Sequence, residues 1–153
     1  MTYYSSVPAA VAALVAAFKT SVALAGVPVH DGPELADAAG LEGIAVGWTG
    51  DPNVDVVTGT ATPEGLAVSP GRERYAVACL VEVIDGGGSI AAARTRAYQL
   101  HAACGAAVAV DPRLGGVVLY ASLGIGSLRQ QQTQAGALAW VSFPVNVDAY
   151  TTR

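Results

Sequence analysis

Two long runs of strict alternation constrain this chain more than any other feature. From Arg74 to Ile84, Tyr75, Val77, Cys79, Val81 and Val83 share one side, and Arg74, Ala76, Ala78, Leu80 and Glu82 share the other. From Ala137 to Tyr150, Ala139, Val141, Phe143, Val145 and Val147 point one way, while Trp140, Ser142, Asn146, Asp148 and Tyr150 point the opposite way. A period of two sustained this far is a strand with one face in a core. Gly116 to Leu128 alternates as well, with Val117, Leu119, Ala121, Leu123 and Ile125 on one face. The stretch Arg129 to Ala135 then reads as a glutamine-rich link closing a long C-terminal hairpin. Pro144 has no N–H to give a ladder, so part of the last strand is expected at a sheet edge.

Helical spacing occurs twice. Val7, Val11, Leu14, Val15, Phe18 and Val22 follow one helical stripe over residues 7–24, with Ser5 and Ser6 placed to cap it and Pro8 in its first turn. Gly26 and Pro28 are the expected stop. After the break Gly86-Gly87-Gly88, Ser89 opens a second helix over 89–108, with Ile90, Ala93, Ala97, Leu100, Cys104 and Val108 as its buried stripe. Short extended segments are expected at Val27–His30, Gly43–Thr49 and Val54–Thr60. Residues 34–40 read as an acidic, alanine-rich loop or one helical turn, and 61–73 as a loop or loose hairpin. The expected fold is α+β, a mainly antiparallel sheet with two helices packed on one face, in a single domain over 1–153.

Composition then narrows the function. Charged residues are 13% of the 153 and hydrophobic ones 52%, against roughly 25% charged in an average chain. Few charges are left for a fully solvated surface, which fits a subunit that hides area against copies of itself; a compact alanine-rich monomer is the simpler reading. A net charge of −4 and a single lysine, Lys19, do not supply the concentrated cations that phosphate contacts need. Cys79 and Cys104 both fall on apolar faces and are expected as buried, reduced thiols. No basic segment precedes the apolar run at 7–18, and Lys19 interrupts it before spanning length, so neither a signal peptide nor a membrane segment is expected.

No arrangement rises to a catalytic or metal site. Gly86, Gly88 and Ala91 match G-x-G-x-x-A between strand and helix, with Asp111 about 20 residues on, but a hairpin follows where further βα units would be needed. Asp51-x-Asn53-x-Asp55 resembles the start of a calcium loop, yet Val56 and Thr62 stand where glycine and glutamate are required. His30 beside Asp31 and His101 on the second helix belong to no ligand spacing or nucleophile motif. The run Arg129-Gln130-Gln131-Gln132-Thr133-Gln134 is either a solvated connection or a hydrogen-bonding contact surface.

Taken in order, the opening helix V-P-A-A-V-A-A-L-V-A-A-F, the V-H-D-G-P turn, the strand G-I-A-V-G-W, the long strand R-Y-A-V-A-C-L-V-E-V, the glycine break, the alanine-rich helix and the closing A-W-V-S-F-P-V-N-V-D-A-Y-T resemble the tail terminator (tail completion, minor tail) proteins of long-tailed bacteriophages. The resemblance implies a virion protein rather than an enzyme, without catalytic residues, metal or cofactor. It implies a six-copy ring at the head–tail junction, assembled in the host cytoplasm, with three partners: itself, the tail tube protein and a head-completion or connector protein. No membrane or sequence-specific nucleic-acid partner is implied. Another head-closure, connector or tail-tube subunit is the alternative, and a small nucleotide-binding enzyme using Gly86, Gly88 and Asp111 a remote one. From the residues themselves, the interface candidates are Arg129, Gln130, Gln131 and Gln132 in the connection, and Trp140 and Tyr150 on the outer face of the last strand, because arginine and aromatic side chains anchor interfaces.

Overall fold

The computed structural model describes residues 4–33, 41–62 and 71–152. Its elements are helices α1 (Val7–Thr20) and α2 (Ile90–Val110) and strands β1 (Val29–Asp31), β2 (Glu42–Val46), β3 (Val57–Thr62), β4 (Arg72–Asp85), β5 (Tyr120–Leu123), β6 (Ser127–Thr133) and β7 (Gly136–Tyr150). The expectations for 34–40 and for most of 61–73 lie outside the described residues.

The sheet is built on β4 and β7, which pair antiparallel in unbroken register from Arg72↔Tyr150 to Asp85↔Ala137. Two strands lie end to end along the free side of β4: β3 against Arg72–Val77 and β2 against Cys79–Val83. On the free side of β7 the same device recurs, with β6 against 136–142 and β5 against 145–148. β1 adds parallel to β2. The fold is therefore α+β with a mixed, mostly antiparallel sheet.

One face of this sheet makes the core. Val77, Cys79, Val81, Val141, Phe143 and Val145 are sealed under Leu14 and Phe18 of α1 and Ala97, Leu100, Cys104 and Val108 of α2. Alanine at 93 and 97 removes bulk, so α2 can lie close to the strands. Its start is capped twice: Ser89 Oγ accepts from Ala92 N (3.1 Å), and the Asp85 carboxylate accepts from Ser89 N (2.7 Å).

The start of α1 differs from its expected cap. Ser5 Oγ accepts from Val7 N (3.2 Å), but Ser6, at the N-cap position, turns into the core. Its backbone N–H and its hydroxyl both donate to Glu73 Oε2, at 2.8 and 2.7 Å. The Ser6 hydroxyl proton is thus spent, so Tyr75 O–H, 2.9 Å away, donates to Ser6 Oγ. Ser6 and Glu73 are the buried polar residues of the described core. This network bolts the first turn of α1 to β4. The helix also ends early: Thr20 Oγ1 donates to Ala16 O, a 3-10 turn Val22–Leu24 follows, and the stripe loses its phase. Val22 is left 92% exposed while Leu24 takes the inward place.

The C-terminal hairpin departs most from expectation. The stretch 116–128 is not one strand, and Arg129–Ala135 is not a link. A 3-10 turn at Leu114–Gly116 precedes β5, the strand breaks at Gly124-Ile125-Gly126, and Gln130, Gln131 and Gln132 lie within β6. The cause lies across the sheet at Pro144. Pro144 O accepts from Gly124 N (2.8 Å), so the proline's ring nitrogen faces the same neighbour and offers it no proton. A Cβ at residue 124 would sit 2.6 Å from Pro144 Cγ, and one at 126 would sit 2.7 Å from Ser142 O. Two glycines let the neighbouring strand break there. Pro144 is thus in a central strand rather than at an edge, with its missing donor turned toward the gap between β5 and β6. The hairpin turn shrinks to Gln134 and Ala135, closed by Gly136 at φ +133°.

Candidate assembly surface

The second face of the sheet carries neither helix. Its residues alternate with the core residues, and register sets them in ranks across four strands. One rank runs Thr58, Ala76, Asn146, Ser122; the next runs Thr60, Arg74, Asp148, Tyr120. Arg72 grips Asp148 with two hydrogen bonds, Nε to Oδ1 at 2.9 Å and Nη2 to Oδ2 at 2.7 Å. Arg74 stands 3.7 Å from the same carboxylate, with its side chain two-thirds exposed. The Arg72 hydrogen bonds hold Asp148 below the usual carboxylate range; partial burial opposes this, and the charges of Arg72 and Arg74 add to it. The ranks border a shallow open groove of about 470 Å³, beside the exposed ring of Tyr120.

The other half of this face is aromatic. Trp140 lies opposite Glu82 in β4 and Arg129 in β6. Gly47 ends β2 at φ +71°, and the following loop folds back so that Gly50 rests against Leu80 and Trp140. Leu80 is therefore buried although it points away from the core, and Leu138 is buried on the same face, in a hollow it shares with Arg129, Gln131 and Trp140. Thr49, Asp51, Val54, Leu80, Arg129 and Trp140 line a cleft of about 240 Å³. Trp140 Nε1 is buried without a hydrogen-bond partner among the described residues.

The structure divides the six expected interface residues. Arg129 and Gln131 alternate outward beside Trp140 and Leu138. Gln130 and Gln132 turn to the helix side: Gln130 Oε1 accepts from Arg94 Nη1 (3.0 Å), and Gln132 Nε2 donates to Gly88 O (2.9 Å). They tie β6 to α2. Tyr150 lies ten residues along β7 from Trp140, roughly 33 Å away, beside Arg72 and Asp148, so it belongs to the polar half. Arg72, Arg74, Asp148 and Tyr120 went unmarked as candidates. Their side parity is legible for β4 and β7, but no local signal sets the register that joins them.

The motifs weighed for chemistry are absorbed by local structure. Asp111 sits at the far end of α2 from Gly86 and Gly88, and its carboxylate accepts from Arg113 N (3.3 Å) and Gly115 N (2.7 Å). Asp51 accepts from Asn53 N (2.9 Å) within its own turn. His101 Nε2 lies 3.3 Å from Gly124 O, and its ring meets Phe143 edge-on at 4.8 Å. Among the described residues no group of three or more His, Cys, Asp or Glu could hold a metal ion, and no helix is long and apolar enough to cross a membrane.

Cys79 and Cys104 are free and buried, and burial pushes both thiols up to about 12, with Cys79 adding to the shift of Cys104. Thiolate is the reactive form. Native protein at pH 8 is expected to consume almost no Ellman's reagent over minutes, while denatured protein consumes two equivalents; rapid native labelling would contradict this burial.

No family model and no curated protein matches the chain. Among solved structures, its fold is similar to a chain of the virion of a native gene transfer agent (GTA) particle, with a TM-score of 0.51 and 12% identity, over 96% of this chain and 98% of that one. At that identity the likeness is one of fold, and it runs from end to end.

Proposed function

We propose that this chain is a structural protein of a phage-like virion, and that six copies form a ring at the head-proximal end of the tail, ending tube growth and receiving the head-completion proteins. The observation that carries this reading is the end-to-end fold likeness to a chain of a gene transfer agent virion. The resemblance of the sequence to tail terminators supports it. So do the sparse charge and the helix-free sheet face with its Trp140 and Tyr120 halves. In this reading Arg129, Gln131, Trp140 and Tyr150 face partners, while Gln130 and Gln132 keep β6 in place. The function needs no bond-making chemistry, and none is assigned.

Deleting the gene in a particle-producing host separates the possibilities. A terminator is expected to leave tubes of uncontrolled length without heads, and purified protein added back should restore a fixed length. Absence of tubes altogether would mark a tube subunit. Normal particles would overturn the proposal.

A further inference from the structure

The two sides of the sheet end in strands that match each other. Among the described residues β6 pairs only with β7, and β3 only with β4, so each leaves one row of backbone groups without a strand partner there. They are the longest edge strands, seven and six residues, against three in β1 and four in β5. Neither carries the devices that keep edges apart: proline and lysine are absent from both, and Arg129 is their one charge. Direction matches too. β3 runs against β4, β4 against β7 and β7 against β6, so β3 and β6 point opposite ways. A second copy, held the same way up, would bring its β3 antiparallel to β6.

Position along the sheet decides how the copies fit. β3 lies level with Arg72–Val77, whereas β6, through β7, lies level with Leu80–Asp85. Joining them displaces the neighbour by about eight residues along the strands, roughly 27 Å. That displacement carries the neighbour's β1 and β2 past the end of β6, and leaves β5 beyond the end of the neighbour's β3. Without it β1, which stands one strand outside β3, would hold the two edges apart. Stagger of this kind tilts strands to the assembly axis, as closing a sheet into a barrel requires.

We propose that β6 of one copy pairs antiparallel and staggered with β3 of the next, making a head-to-tail seam that repeats around the ring. The pairing is heterologous, and such contacts form closed rings when the rotation closes. The inference rests on the ring reading above and gives that ring its seam.

Cysteine pairs test it on the full chain. Thr60, Arg129 and Gln131 point to the helix-free face, Gln130 to the helix side. Thr60→Cys combined with Arg129→Cys or with Gln131→Cys is expected to give covalent multimers on oxidation, rising to one closed size in at least one of the two variants. Thr60→Cys with Gln130→Cys should give none, because the thiols sit on opposite faces. Size measured under reducing conditions identifies any variant that no longer assembles. If a discrete assembly forms but neither outer pair links, or the Gln130 pair links equally, the seam is wrong and the ring reading stands. If the parent chain never assembles, alone or on tail tubes, both fall.

Discussion

Gly136→Ala is expected to lower stability by about 3 kcal/mol, a large loss for a single methyl group. Gly136 closes the two-residue turn between β6 and β7 at φ +133°, a conformation that residues with a Cβ rarely adopt. A Cβ there would also run into the carbonyl oxygen of Asp85 and come within 3.0 Å of Gly86 Cα. Both obstacles are backbone, and both sit where β4 and β7 end together, so relief requires prising the hairpin from the central ladder. Gly86→Ala is the matched control: nothing lies within 4 Å of its added Cβ, and its effect is expected within about 0.5 kcal/mol. Urea unfolding followed by circular dichroism measures both. Equal midpoints for Gly136→Ala and the parent would refute the account of this turn.

Glu73→Ala is expected to cost about 2–3 kcal/mol at pH 7, because it strips the acceptor from the Ser6 N–H and hydroxyl in a buried site. The pH dependence identifies the mechanism. Burial pushes the Glu73 carboxyl up, but the bonds from the Ser6 hydroxyl and backbone, with Ser5, outweigh it and hold the group below its ordinary value of 4.5. A carboxyl with a depressed folded value stabilises fully above its unfolded value, and the contribution fades as pH falls through the folded one. The gap between parent and variant should therefore be flat from pH 7 to about 5 and narrow below 4.5. A gap of the same size at pH 3 would mean that the loss is one of packing alone.

The legible parts of this fold are those whose signal is local. Tyr75 to Val83 and Ala93 to Val108 declare their buried faces by period alone, because burial against a core forces one side of each to be apolar. The illegible parts are set by contacts distant in sequence. Val22 continues the α1 stripe in the sequence, yet the helix stops at Thr20 and the stripe ends with it. Pro144 announces a missing donor, but not which neighbour does without; the answer lies at Gly124 and Gly126, on another strand. The glutamines were legible as polar and uncharged. That they form an edge strand, and that alternate ones serve α2 and the open face, depends on the register with β7. The candidate surface was half legible for the same reason: Trp140 and Arg129 stand out as residue types, whereas the Arg72–Asp148–Arg74 group exists only once β4 and β7 are aligned.

The β4·β7 ladder also has a mechanical meaning. Its fourteen pairs run without a bulge from Arg72 to Asp85. A pull along the strands loads these pairs together, in shear, and sliding must break them nearly at once. A pull across the sheet peels them one after another. A subunit joined to its neighbours through β3 and β6 would receive strain along a tilted axis at both sides of this ladder, so it would act as the stiff member of the assembly, and the shorter strands at the margins would yield first.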